Sequence, residues 1–424
     1  MRAAVLLSLA LLAPLSRAQS VCDPRTFGAR ADGVTKDTAA VQHAIDVCAE
    51  RPGGGMVRLA GGTFLVAPIV LRSNITLDVE PDAVLLASPD HRDYPRKEQF
   101  RAPGYQAFVS ATDAQHIVIT GGGVLDGNGK SWWDQARGTK DAGVLGSSNT
   151  RPRGLVLDHV QHVRIENVTV QNSAYWQIVP YYSKDVFIHN VRVFADPHSP
   201  NTDGIDPFSS TNVVIDNATI DVGDDNIAIK SGMVNSPGPD APTSHVVIRN
   251  CHMLHGHGLS IGSELSGGAN NIDIEHVRFQ GTANGLRIKA NRDRGGEIAK
   301  IVFRDVTMSG VAVPILVSAY YPKAFPEGTV VAAPVQRLTP HMHDILFDQI
   351  VATGSTDGGM IVGLPEAPVE NIRLQHVQVK ALRPMRVAYA KASFEDVRIA
   401  LPQGGEGVQI AASAQVEEGK QEKP

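Results

Sequence analysis

One phrase recurs along this chain: apolar, any residue, apolar, polar, a bend residue that is usually Asn, Asp or His, then apolar again. It reads HVRIENVTV at 162–170, DVFIHNVRV at 185–193, NVVIDNATI at 212–220 and HVVIRNCHM at 245–253. It continues as NIDIEHVRF at 271–279, KIVFRDVTM at 300–308, DILFDQIVA at 344–352 and NIRLQHVQV at 371–379. Weaker copies start at Ile75, Ile117 and Val397. From Val163 to Ile301 the spacings are 23, 27, 33, 26 and 29 residues. Each copy alternates with period two, so each is a strand, and the polar break reads as a tight bend. A second strand follows in GLSIGS, GLRIKA and PILVSA. No amphipathic helix separates these copies, which argues against a βαβ sheet.

A strand–turn–strand unit of this size cannot bury its own apolar face, but it can when stacked on equivalent neighbours. The expected fold is therefore all-β, a solenoid of parallel strands with about ten coils, spaced ~4.8 Å apart. This also accounts for the length. A chain of 424 residues would otherwise suggest two or three domains, whereas a solenoid grows along one axis. The segment KDTAAVQHAIDVCAE at 36–50 places Val41, Ala44, Ile45 and Cys48 on one helical face, with Asp37 or Thr38 as N-cap. A short helix there would cover the exposed apolar end of the solenoid.

The ends are expected to differ from the body. Arg2 followed by the apolar run Ala3–Leu15 is too short to span a bilayer, and Ser16 and Ala18 suit a signal-peptidase cut. Residues 1–18 are read as a signal peptide, which implies a secreted or periplasmic protein. Residues 19–400 are expected to form the solenoid domain, and 401–424 a charged, disordered tail. Without Arg2 and Arg17 the formal charge is about −7, which argues against nucleic acid, and no other segment suggests a membrane span. An exported chain can oxidise cysteines, with Cys22–Cys48 the expected pair and Cys251 a buried small hydrophobe. Asn74, Asn167 and Asn217 fit the Asn-x-Ser/Thr pattern, but the bend explains them without glycosylation.

The second strands align at Ile205, Ile227, Leu259, Leu286 and Ile315. Period two then turns Asp206, Ala228, Ser260, Arg287 and Leu316 outward, and also Lys230, Gly262, Lys289 and Ser318. Two residues before each apolar start stand Asp203, Asp225, His257 and Asn284, with Asp224 one earlier. Asp203, Asp224, Asp225, His257, Arg287 and Lys289 should therefore converge. Three acids this close cannot all ionise freely. One can donate a proton while others activate water, across the roughly 6.5–9.5 Å gap of inverting glycosidases. Arg287 and Lys289 would hold an anionic group, as on an acidic sugar. A Ca²⁺ site is the alternative for clustered acids, and the adjacent His and cations disfavour it.

Four segments, SPNTDGIDP (199–207), GDDNIAIKSG (223–232), GHGLSIGSE (256–264) and RIKA (287–290), resemble the signature blocks of the polygalacturonases, glycoside hydrolase family 28. So do FGARADGVTKDTAAVQHAID (27–46), LDGNGKSWWD (125–134) and ENVTVQNSAYWQIVP (166–180), and the resemblance spans about residues 25–380. It implies a right-handed parallel β-helix that hydrolyses α-1,4-linked galacturonate of polygalacturonate or pectin with inversion, without cofactor or metal, as a monomer. It implies Asp224 as general acid, Asp203 and Asp225 as activators of water, and His257 as their tuner. Arg287 and Lys289 would grip the galacturonate carboxylate, with Asn201 shaping the site. Tyr321 is similar in place to a substrate-contacting tyrosine, or is an ordinary stacked aromatic. Asn226 stands where many members carry Cys, a change expected to alter packing. GSELSGG (262–268) is more similar to the bacterial branch, which leans the reading towards chain-end attack. Trp132, Trp133 and Trp176 are candidates for sugar stacking, with packing the favoured reading. The rivals are a Ca²⁺-dependent pectate-lyase-like enzyme and a non-catalytic glycan-binding solenoid.

Overall fold

The computed structural model describes residues 20–141, 150–326, 328 and 330–419; the expected leader, 1–18, lies outside them. The recurring phrase is the spine of the molecule. Val163, Val186, Val213, Val246, Ile272, Ile301, Ile345 and Ile372 pair in unbroken parallel register, coil upon coil. All eight are buried in one continuous apolar core. The weaker copy at Ile117 joins below Val163, and Val397 joins above Val377.

The bend residues explain the phrase's polar break. Asn167, Asn190, Asn217, Asn250, His276, Asp305, Gln349 and His376 all adopt φ between 50° and 57°. Asn and Asp tolerate this left-handed conformation better than other side-chain-bearing residues. The asparagines also form a ladder: Asn190 donates to Asn167 at 2.7 Å, and Asn217 donates to Asn190 at 3.1 Å. Two of the three Asn-x-Ser/Thr asparagines are thus occupied as bend residues in this ladder.

The second strands form their own parallel stack. Ile69–Val70, Val109–Thr112, Leu155–Asp158 and Ile178–Tyr181 make a four-stranded sheet. Ile227–Ser231, Leu259–Leu265, Asn284–Lys289 and Val313–Ser318 begin a seven-stranded one. Ile205 and Phe208 bridge the two, pairing with Ile178 and Tyr181 on one side and Ile227 and Lys230 on the other. Pro180 and Pro207 lack N–H donors here, so the ladder thins at this coil.

The helix Thr38–Ala49 buries Ala40, Val41, Ala44, Ile45 and Cys48, and Cys48 is disulfide-bonded to Cys22. Neither expected cap residue caps it through its side chain. The Asp37 carboxylate accepts instead from the Arg30 and Ala31 amides, and Thr38 Oγ1 from the Ala67 amide, which fastens the helix to the first coils.

Three features depart from the sequence reading. A hairpin, Arg96–Gln99 with Ala102–Tyr105, and a helix, Lys130–Asp141, interrupt the early coils. That helix buries Trp132 against His91, with ring centroids 3.6 Å apart, and Trp133, whose indole donates to Ser173 O at 3.0 Å. Both tryptophans therefore pack. The boundary expected at residue 400 is also corrected: Val408–Ile410 pairs with Met385–Val387, and Gln415–Glu418 with Lys391–Phe394. An open strand edge recruits this polar segment through backbone bonds, and Val408, Ala414 and Val416 rest on the core. Residues 420–424 lie outside the described set.

The bend ladder yields a stability test. Asn190→Ala is expected to cost ~1–2 kcal/mol for a non-Gly residue held left-handed, and Asn190→Gly measurably less, read as shifts in the urea unfolding midpoint.

Candidate active site

The register of the second strands brings the site together. Ile205, Ile227, Leu259, Leu286 and Ile315 stand in one row, so the residues flanking each also align. Backbone bonds fix the turns that precede them. Gly204 N donates to Asp225 O at 2.9 Å, and His257 N to Asp224 O at 2.8 Å. Asp203, Asp225 and His257, distant in sequence, thereby become neighbours on adjacent coils.

Asp225 lies on the floor, 1% exposed. Lys289 Nζ donates to its Oδ2 at 2.7 Å, Ser260 Oγ to its Oδ1 at 3.1 Å, and Arg287 Nη2 also to Oδ1. Burial alone would raise its pKa, but Arg287, Lys289 and Lys230 outweigh burial and hold it well below the usual carboxylate range. Both cations expected for substrate are thus already engaged with an acid of the site. Tyr321 lies over Lys289, its ring centroid 4.9 Å from Nζ, so its aromatic face borders the same corner.

Asp224 and His257 form the rim. His257 Nδ1 lies 3.0 Å from Asp224 Oδ1, and the imidazole is 45% exposed. This contact raises the His257 pKa despite partial burial. The Asp225 amide donates to the same Asp224 oxygen at 2.9 Å, and Asn201 Nδ2 reaches Asp224 Oδ2 at 3.4 Å. Asn201 is held in turn by Arg151, whose Nη2 donates to its Oδ1 at 2.8 Å. Arg151 is buried and also bonds the carbonyls of Ala174 and Pro200.

Asp203 is far less compensated than Asp225. Its Oδ1 has no hydrogen-bond partner among the described residues, and its Oδ2 faces Lys230 Nζ at 3.5 Å. Burial, and then repulsion from Asp224, push its pKa up to about 7. Asp206, three residues on, is fully buried with both carboxyl oxygens unpartnered among the described residues. Burial and Asp203 raise it well above the usual range.

Asn226 does more than alter packing. Its side chain donates to Ile220 O and His255 O and accepts from the Gly258 amide at 2.9 Å. It pins the Gly256–His257–Gly258 turn. Gly256 is required there, because a Cβ would stand 2.6 Å from Asp224 O.

The sequence reading brought together Asp203, Asp224, Asp225, His257, Arg287, Lys289, Asn201 and Tyr321, and all eight are neighbours in one cluster on adjacent coils. It missed Arg151, Lys230, Asp206 and Glu264 as members. Lys230 and Asp206 were legible as outward positions in the aligned strands, whereas Arg151 lies in an irregular segment without that signal. Outward also proved different from exposed, since Asp206, Lys230, Arg287 and Lys289 are all buried. Trp176 is half-buried with Lys230 Nζ 4.7 Å from its ring centroid, so it borders the cleft as well as packing.

Asp224, Asp225 and His257 each bring one ligating atom within 4.8 Å of the others. Asp225, however, is committed to Arg287, Lys289 and Ser260, and His257 Nδ1 to Asp224. A hard cation would have to displace these donors in a site that already holds three side-chain cations.

Three converging carboxyl groups with unequal charge compensation, beside two cations on a parallel β-helix, suit the acid–base chemistry of a glycosidase. The profile of "Glycosyl hydrolases family 28" matches residues 68–392, and the chain belongs to that family. Residues 22–89 also match "Rhamnogalacturonase A/epimerase, pectate lyase-like". The chain is 30% identical over 396 residues to a Vitis vinifera protein named "Probable polygalacturonase", covering 88% of this chain and 77% of that one. It is 30% identical over 399 residues to an endo-polygalacturonase of Pectobacterium carotovorum subsp. carotovorum, covering 86% and 92%. The solved structure of an exopolygalacturonase from Thermotoga maritima superposes with a TM-score of 0.77 at 26% identity, covering 90% of this chain and 91% of that one. The fold is accordingly the right-handed parallel β-helix.

The buried acids make stability depend on pH. Asp203, Asp206 and His257 all bind protons more tightly folded than unfolded. Their contribution is present at mildly acidic pH and is lost as pH rises through the folded values. Calorimetry is expected to find a higher Tm near about pH 5 than near about pH 8.

Proposed function

We propose that this glycosidase is a polygalacturonase that cleaves α-1,4-galacturonosyl links of polygalacturonate or pectin with inversion. The observation that carries this reading is the convergence of three acids with Arg287 and Lys289 in one cleft. Asp224, on the rim, gives its proton to the departing glycosidic oxygen. Water attacks the anomeric carbon from the opposite face and passes its proton to Asp203 or Asp225. The C–O bond to the leaving sugar breaks as the bond to water forms, so the product has inverted configuration. His257 and Asn201 hold the Asp224 carboxyl in orientation. Arg287 and Lys289 share their charge between Asp225 and the carboxylate of the bound galacturonate, with Tyr321 packing beside them. Recognition by two cations favours an acidic sugar over a neutral one.

Chain-end attack is the favoured mode. Phe100 of the early hairpin packs on Tyr181, Phe208 and Trp176, with ring centroids 4.3–5.8 Å away. Arg101 bridges to Asp240 at 2.9 Å and to the Tyr182 hydroxyl at 3.0 Å. Phe208 is in register with Lys230, so this cluster walls the cleft on its N-terminal side. The Cys22–Cys48 disulfide suits an oxidising compartment and supports export, in line with the leader read from residues 1–18. Among the described residues, no helix is long and apolar enough to cross a membrane. The protein is proposed to act as a monomer, without metal or organic cofactor.

Two measurements test this. Asp224→Asn is expected to lower kcat by at least about 10²-fold, the scale of general-acid catalysis, while the unfolding midpoint shows the variant still folded. Wild-type enzyme on polygalacturonate should release reducing ends with chelator present and without new ultraviolet absorbance, and galacturonate monomer should dominate early. Chelator-sensitive, absorbing products would indicate a lyase, and an early spread of oligomers would indicate internal cleavage.

A further inference from the structure

Asp225 is ion-paired with two cations, but Asp203 with one, and it is not a residue of the expected set. Lys230 sits on Ile227–Ser231, where its neighbour strand is irregular: Ile229 pairs with Ile261, yet Ser231 pairs with Leu265. Lys230 alone therefore stands opposite three residues, Gly262–Ser263–Glu264. Lys230 Nζ lies 3.4 Å from Glu264 Oε2 and 3.5 Å from Asp203 Oδ2, over the Trp176 ring at 4.7 Å, with its side chain 6% exposed. A buried ammonium without partners would be lost to deprotonation. Here burial opposes the charge, but Glu264 and then Asp203 hold it well above its ordinary value.

The other groups around Asp203 set the background. Asp224, Asp225 and Asp206 repel its charge, Lys289 attracts it, and Arg151, Arg153 and Tyr175 also lie within its field. Among the described residues, Lys230 is the one cation within 4.0 Å of Asp203. Its charge is divided between that acid and Glu264. The amount left for Asp203 depends on the bulge that carries Glu264.

We propose that Lys230, shared between Asp203 and Glu264, is a positioning residue that keeps Asp203 ionised for activation of water. This rests on the reading of Asp203 as a base. Losing Lys230 removes an attractive charge, so Asp203 ionises at higher pH. Losing the Glu264 charge removes a repulsion and leaves the lysine to Asp203, so Asp203 ionises at lower pH.

The test is the pH profile of kcat/KM on polygalacturonate for wild type, Lys230→Met, Lys230→Arg and Glu264→Gln. Lys230→Met is expected to move the acidic limb up by about one pH unit or more, the usual effect of an opposite charge at this distance. Activity should recover at higher pH, with KM within about threefold of wild type. Glu264→Gln should move the limb down, and Lys230→Arg should hold it near the wild-type position. A merely structural lysine would lower stability without shifting the limb in opposite directions. An unmoved limb with a tenfold higher KM would overturn the proposal and make Lys230 a substrate contact. If Lys230→Met fails to fold, the Glu264→Gln arm decides alone, because an unmoved or upward-shifted limb refutes it. Absence of any wild-type hydrolysis would instead refute the proposed function.

Discussion

Parallel register is the constraint on which the rest of this molecule depends. Each coil must lie one strand spacing from the next, with its inward residues directly above those below. Ile205, Ile227, Leu259, Leu286 and Ile315 satisfy this as buried members of one row. Once the row is set, the turn before each strand cannot move independently. The acids of three separate segments meet because the apolar residues beside them are stacked. A slip of one residue would turn the row outward and scatter the site.

The second governing feature is unequal charge compensation. Arg287, Lys289 and Ser260 neutralise Asp225, whereas Asp203 shares a single lysine with Glu264. Asp206 has no partner among the described residues. Burial amplifies these differences, because charge in a dry cleft is costly unless paired. The result is a difference in proton affinity between Asp203 and Asp225, the two carboxyl groups proposed to activate water. The cost is a native state that binds extra protons, held together by the cross-coil ladders beneath it.

Much of this was legible in the sequence because both periodicities are local. The alternation in HVRIENVTV and its copies fixed the strands, and the Asn at the bend announced the left-handed turn. Aligning IAIKSG, GLSIGS and GLRIKA predicted which side chains share a face, and the structure keeps that register as far as Ile229 and Ile261, beyond which the second strand shifts so that Ser231 meets Leu265. What was not legible came from segments without the repeat. The hairpin 96–105 and helix 130–141 carry no copy of the phrase, yet Phe100 of the one packs on Tyr181, Phe208 and Trp176, and the other buries Trp132 and Trp133. Residues 408–418 look like a polar tail but complete the solenoid through backbone bonds. Alternation also distinguishes inward from outward, not wet from dry. It therefore gave no sign that Lys230 and Arg287 are buried, or that Asn226 pins the turn bearing His257.

In the proposed reaction, acid and base act on opposite faces of the sugar, from residues that the stacked coils bring together. Proton NMR of the first sugar released from an α-linked galacturonate oligomer, recorded before mutarotation, tests it most directly. The β-anomer should appear first. Initial release of the α-anomer would mean retention through a covalent intermediate, and would contradict the roles given to Asp203, Asp224 and Asp225.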